Sequence, residues 1–217
     1  MQKTCSLLLC LVILFSLSLG CSKKARPRSE PTYKIPLTYA VSVAPFTQPT
    51  NPSELILGRI PDDQGLITPE DMMVLDRELK NILLENSKRH FVFLAAPLEQ
   101  TSTSYHNSAQ PQALNAWLEY GKKHNAQLLL VPQVLNWHER DGSRAGVTKS
   151  AEVRVEFFLL RMSNGSVVSR SIYDEKQQAL TENLLKIGDF IKRGAAWVSA
   201  TDLAKEGMTK AKKEIGL

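Results

Sequence analysis

No cysteine follows position 21. The chain has 217 residues and three Cys, at positions 5, 10 and 21. Its body therefore holds no thiol nucleophile, cysteine zinc site, iron–sulfur cluster or internal disulfide. Other signatures are missing too. There is no G-x-S-x-G, no Walker A loop, no G-x-G-x-x-G and no H-E-x-x-H, so the sequence motifs for acyl transfer, nucleotide binding and zinc proteolysis are absent. Gly and Pro number only 11 each, too few for a low-complexity scaffold. With 43% hydrophobic and 23% charged residues, the chain is neither a disordered polyampholyte nor a polytopic membrane protein.

What is present begins at the amino terminus. Lys3 is the last charge before Lys23. Between them lie an apolar centre, Leu7 to Phe15, and a small-residue exit, Ser16-Leu17-Ser18-Leu19-Gly20-Cys21. This is the pattern of a secretory signal peptide over residues 1–20. Its ending on Gly20-Cys21 resembles the signal of bacterial lipoproteins. That resemblance implies acylation of Cys21, cleavage before it and stable anchoring by several acyl chains such as palmitate. Ser18 and Leu19 depart from the usual lipobox, which prefers Leu, Val or Ile and then a small residue. Two other readings stay open: small-x-small cleavage releasing a soluble protein, and an uncleaved apolar helix of about 20 residues. In the lipoprotein reading, Ser22 carries no inner-membrane retention signal. The expected location is then the periplasmic face of the outer membrane.

Residues 22–36 read as a flexible basic tether. They carry Lys23, Lys24, Arg26, Arg28 and Lys34 against Glu30, with no apolar run. These five less Glu30, together with Lys3, account for the net charge of +5, so residues 37–217 are neutral. The basic balance describes the tether and gives no support to nucleic-acid binding.

The remainder, 37–217, reads as one domain of the mixed α/β (α+β) class. Leu37 to Ala44 predicts a first strand. A Pro-rich loop follows, with Asp62-Asp63 in a turn. Thr68-Pro69-Glu70-Asp71 predicts a capped helix start with an acidic capping box, followed by Met72, Leu75, Leu79, Ile82 and Leu83 at helical spacing. Phe91–Ala95 predicts a strand and Pro111–His124 a helix. Gln127–Trp137 predicts a central strand, in which Pro132 calls for a bulge or a change of pairing. Ala151–Met162 alternates Glu152, Arg154 and Glu156 with apolar residues, the mark of a strand with one wet face. Asn164-Gly165 turns it into a strand over Ser166–Tyr173. Leu180–Phe190 and Thr201–Ile215 predict closing helices. The expected order is β-α-β-α-β-β-β-α-α, a mixed sheet packed by helices.

Several of these stretches carry a family resemblance: Val43-Ala44-Pro45-Phe46, Arg89-His90-Phe91-Val92, Gln127-Leu128-Leu129-Leu130-Val131-Pro132, and Phe157–Leu160 passing through Asn164-Gly165 into Val167-Val168. Over roughly residues 37–175 the chain resembles small bacterial lipoproteins with the fold of the TolB amino-terminal domain. That fold is also seen in the penicillin-binding-protein activator LpoB and the curli secretion subunit CsgG. The resemblance implies a non-catalytic domain that docks on envelope partners or self-associates, in transport, secretion or cell-wall assembly.

The candidate site residues are few. Cys21 is the expected lipid attachment. His90, His106, His124 and His138 have no ligand spacing among them, so no metal or cofactor is expected. His138 and Glu139, beside Trp137, Arg140 and Asp141, are the acid/base candidates for an alternative reading as a periplasmic hydrolase. Trp137, His138, Arg140 and Trp197 are the candidate partner contacts, because Trp beside Arg makes a good interface anchor. Trp117 is expected in the core.

Overall fold

The computed structural model describes residues 35–95, 109–143, 147–177 and 197–217. Residues 1–34, with Cys21 and nearly all of the tether, lie outside these, as do His106 and the expected Leu180–Phe190 helix. The described residues belong to one compact unit.

Five strands form one mixed sheet. In chain order the elements are β1 (Val41–Val43), α1 (Pro69–Leu84), β2 (Phe91–Phe93), α2 (Ala113–Lys123), β3 (Leu128–His138), β4 (Asp141–Gly142), β5 (Val147–Lys149), β6 (Glu152–Arg161), β7 (Ser166–Lys176) and α3 (Ala200–Ile215). The main sheet runs β2-β1-β3-β6-β7, with β4 and β5 as a separate short hairpin. β1 is parallel to β2 and β3, whereas β3, β6 and β7 form an antiparallel meander. This is the expected mixed α/β class, and the described elements follow the expected order with the β4–β5 hairpin added.

Two apolar layers enclose the sheet. On one face, Leu75, Leu79 and Leu83 of α1 and Leu203, Ala204, Met208, Ala211 and Ile215 of α3 pack on Val41, Val43, Leu128, Leu130, Val155, Phe157 and Leu159. On the other, Ala113, Trp117 and Tyr120 of α2 cover Leu129, Val131, Phe158 and Leu160. β3 is buried along all but its last residue because it serves both layers.

Local chemistry sets the helix ends. Thr68 Oγ1 accepts from the Asp71 amide at 3.1 Å and donates to the Asp71 carboxylate. The Asp71 carboxylate thus meets the Thr68 hydroxyl rather than the Thr68 amide that a reciprocal box would use. The full reciprocal box is found at α3. There Ser199 N–H donates to Asp202 and the Asp202 amide donates to Ser199 Oγ, both at 3.1 Å. Gly216, at φ 81°, ends α3 in the left-handed conformation that glycine adopts without steric cost.

Three expectations change in the structure, and the one at Pro132 is met by a change of pairing. The first strand is shorter than 37–44, because residues 36–39 close a turn through Tyr39 N–H to Pro36 C=O. Ile35, placed in the tether on sequence, is buried in the core. Pro132 lies at a change of pairing. The carbonyls of Leu130 and Pro132 accept from Ala44 and Thr47, so the missing N–H of Pro132 falls in the interval where β1 breaks at Pro45. The register shift itself comes later, between Val134 and Asn136. Finally, the charged face of β6 is only partly wet, with Glu152 and Arg154 half-buried. Glu156 is fully buried and accepts from Arg170 Nε at 2.9 Å and Arg154 Nη2 at 3.1 Å. The loop after β1 passes over this face: Gln133 donates to the Glu54 carbonyl and Asn136 Oδ1 accepts from Gly65 N–H. Alternation marks two faces but does not say what covers them.

Candidate functional site

The end of β3 was the place singled out by sequence. Trp137 is buried in the main core at 4% exposure, with its indole among apolar neighbours. Its ring is therefore a packing element and not a surface anchor. His138 is half-buried, and its Nε2 donates to the Asp63 carbonyl at 3.0 Å, which fixes the Nε2–H tautomer. Glu139 accepts from the Arg140 amide at 2.9 Å and from the first helical amide of α3, Ala200 N–H, at 3.1 Å. Arg140 Nη1 donates to the Trp197 carbonyl.

The structure thus brings His138, Glu139, Arg140 and Trp197 into one neighbourhood, but each polar group addresses backbone. His138 holds the Asp62-Asp63 turn. Glu139 places a carboxylate at the positive end of α3, and Arg140 holds the segment entering that helix. The arrangement braces the docking of α3. Among the described residues no group of three or more His, Cys, Asp or Glu is placed to hold a metal ion, and no helix is long and apolar enough to cross a membrane.

A second place was not foreseen. The chain leaves β1 toward α1 on one face and leaves β2 toward α2 on the other. Where windings diverge in this way, a crevice opens at the carboxyl ends of the strands. A cleft of about 370 Å³ lies there, lined by Val43, Ala44 and Pro45 after β1, Phe93, Leu94 and Ala95 after β2, and Asp76, Arg77, Leu79 and Lys80 of α1. The walls are mostly apolar and the rim is cationic.

Three charged groups set the electrostatics of the cleft. Asp76 accepts from the Phe46 amide at 2.8 Å. Burial raises its pKa above the usual carboxylate value, and the Phe46 hydrogen bond offsets this in part. Arg77 and Lys80 are exposed. Lys80 Nζ lies 5.5 Å from the Phe93 ring centre, a cation–π contact. Sequence reasoning missed the cleft because its lining comes from three separate elements, β1, α1 and β2, that meet only in the fold. The one available signal was Asp76, a charge at the edge of the apolar stripe of α1.

The sequence matches no family model, and no curated protein matches it. Solved structures are similar to it over most of the chain. The PelC dodecamer from Paraburkholderia phytofirmans is 17% identical, with a TM-score of 0.47, covering 86% of this chain and 92% of that one. Lipoprotein GNA1162 from Neisseria meningitidis is 9% identical, with a TM-score of 0.37 and coverage of 72% and 98%. The LpoB carboxy-terminal domain from Salmonella enterica is 12% identical, with a TM-score of 0.33 and coverage of 71% and 89%. At such identities and TM-scores these likenesses assign no function.

Proposed function

We propose that the protein is a non-enzymatic lipoprotein of the bacterial cell envelope. Cys21 carries the acyl anchor, residues 22–34 set the reach, and the α/β domain binds a protein partner. The observation that carries this reading is the amino-terminal pattern: one Lys, an apolar centre and Gly20-Cys21, with no later Cys. A thiol used only as an anchor explains why the body has none. Tethering raises the domain's effective concentration at the membrane, so a modest docking surface suffices. Placement on the periplasmic face of the outer membrane follows from Ser22, which is not the retention residue. A role in envelope transport, secretion or cell-wall assembly fits such a domain, and no cofactor is required.

The geometry at the end of β3 speaks against the alternative, hydrolysis. A general base must reach a substrate proton, whereas His138 and Glu139 spend their hydrogen bonds on the Asp63 carbonyl and the Ala200 amide.

The test is Cys21→Ala in cells, read by membrane fractionation, mass spectrometry of the mature amino terminus and crosslinking. The expected result is a lipid-modified Cys21 in the parent, a soluble variant, and crosslinks to a protein that weaken in the variant. An unmodified mature terminus with unchanged localisation overturns the anchor.

A further inference from the structure

The two edges of the main sheet differ. On the β7 edge, Lys210 Nζ of α3 donates to the Ile172 carbonyl at 2.6 Å, so a side chain covers a backbone acceptor there. Capping of this kind protects an edge from pairing with another strand. The β2 edge has no such cover among the described residues. β2 bonds β1 through His90 C=O, which accepts from Val41 N–H at 3.0 Å, and through Leu94 N–H, which donates to Val43 C=O at 2.9 Å. Backbone groups alternate in direction along a strand, so Phe91 and Phe93 turn their N–H and C=O away from β1, toward the open side.

The surroundings of this open edge have a definite chemistry. Val92, on β2 itself, is an exposed hydrophobic at 39%. The apolar cleft begins where β2 ends, with Phe93 and Leu94 in its wall. Arg77 and Lys80 stand on its rim with no carboxylate within ion-pair distance among the described residues. The carboxylate of the cleft, Asp76, is committed to the Phe46 amide. In a domain neutral overall, this leaves local positive charge beside unpaired backbone and an apolar recess.

We propose that the β2 edge and its adjoining cleft form a docking site for an extended acidic segment of a partner protein, which adds as a sixth strand along Phe91–Phe93, seats one apolar side chain against Phe93, Leu94 and Pro45, and pairs its carboxylates with Arg77 and Lys80. This rests on the partner-binding reading above and names the surface and the chemistry. Main-chain hydrogen bonds supply affinity, the cleft selects a side chain, and the two cations select acidic flanks.

The test uses the purified full chain and two fluorescein-labelled heptapeptides. One alternates Glu with Val and Phe, and the other has Lys in place of each Glu. Binding is read by anisotropy and strand addition by amide hydrogen exchange. The acidic peptide is expected to bind at least tenfold more tightly than the lysine peptide. It should also slow exchange of the Phe91 and Phe93 amides at least tenfold. Arg77→Glu and Lys80→Glu, both on exposed positions, should each weaken the acidic peptide several-fold and leave unfolding unchanged, while Lys213→Glu on α3 should not weaken it. Equal binding of the two peptides, or unchanged exchange at Phe91 and Phe93 with acidic peptide bound, overturns the proposal. So does protection of these amides that grows with protein concentration in the absence of peptide, since a second copy then covers the edge. Crosslinks in cells that map elsewhere on the domain would leave the partner-binding reading standing and remove only this surface.

Discussion

Arg89 Nη2 donates to the Ile35 carbonyl at 2.9 Å. Its Nη1 donates to Pro36 C=O at 3.0 Å and Tyr39 C=O at 3.3 Å. One buried guanidinium thus ties the segment before β1 to the segment before β2, with three carbonyls as its acceptors. Burial lowers the Arg89 pKa from its ordinary value, yet a guanidinium stays charged. The contact anchors the chain where the described residues begin.

Arg89→Met removes these charge-assisted bonds and leaves the three carbonyls without their donor. The expected loss is about 2–3 kcal/mol, read as a lower urea midpoint with an unchanged slope. Proteolysis within residues 35–40 should speed up before global unfolding. An unchanged cleavage rate would mean that the segment is held by Ile35 packing alone.

Asp76 makes stability depend on pH in a defined direction. Its folded pKa is raised, chiefly by desolvation, so the folded state binds the proton more tightly than the unfolded state. Stability is then greatest below the ordinary value of 3.8 and falls as pH rises through the raised folded value. Asp76→Asn keeps an acceptor for the Phe46 amide and removes the charge. The variant should be more stable than the parent at pH 7, and the gap should close as pH falls below 3.8. Thermal melts across that range check the sign. A variant less stable at pH 7 would show that the carboxylate has a compensating partner.

Glu139→Ala removes an acceptor from the first turn of α3, whose Ala200 amide it meets at 3.1 Å. A charge at a helix amino terminus contributes about 0.3–1 kcal/mol when exposed, and Glu139 is exposed. The expected loss lies in that range and shrinks in high salt. A loss that ignores salt would assign Glu139 a packing role instead.

Two glycines are required by close approach. A Cβ on Gly65 would lie 2.1 Å from the Trp137 carbonyl oxygen, and one on Gly207 would lie 2.8 Å from the Tyr173 ring. Backbone yields less than a side chain, so Gly65→Ala should cost about 3 kcal/mol or more and Gly207→Ala about 1–2 kcal/mol. Part of the Gly207 penalty is offset by the better helix propensity of Ala. Chemical denaturation of the two variants ranks them, and the reverse order would mean that the 48–65 loop shifts freely.

Much of the architecture was legible before the structure. The Thr68 cap and the apolar spacing of α1, the β3 run, and the Asn164-Gly165 turn are local patterns, so they read correctly without knowledge of neighbours. The turn is a four-residue loop, Met162–Gly165, closed by Gly165 N–H to Arg161 C=O at 2.9 Å. What failed was non-local. The charged alternation of β6 forecast solvent, but a loop from about 100 residues upstream covers part of it. Trp137 at its strand end read either as core or as a surface anchor, and only its burial in the main apolar cluster decided for the core. The candidate site followed the same rule. The charged run at 138–141 was conspicuous in sequence, yet its Glu139 and Arg140 brace the start of α3 and its His138 holds the Asp63 turn, whereas the cleft residues were inconspicuous because α1 and β2 meet only after folding.

The sequence alone determined the order of the described elements, the Thr68 cap, the charge neutrality of residues 37–217 behind a basic amino-terminal stretch, and the confinement of every thiol to the first 21 positions. Each depends on residue type and short-range spacing, which the backbone reads one turn or one pleat at a time. Tertiary structure decided which faces are covered, which polar groups are spent on backbone, and which strand edge is left open. Those depend on contacts between residues far apart in the chain, and β2 is an open edge only because β1 pairs on one side of it and nothing described pairs on the other.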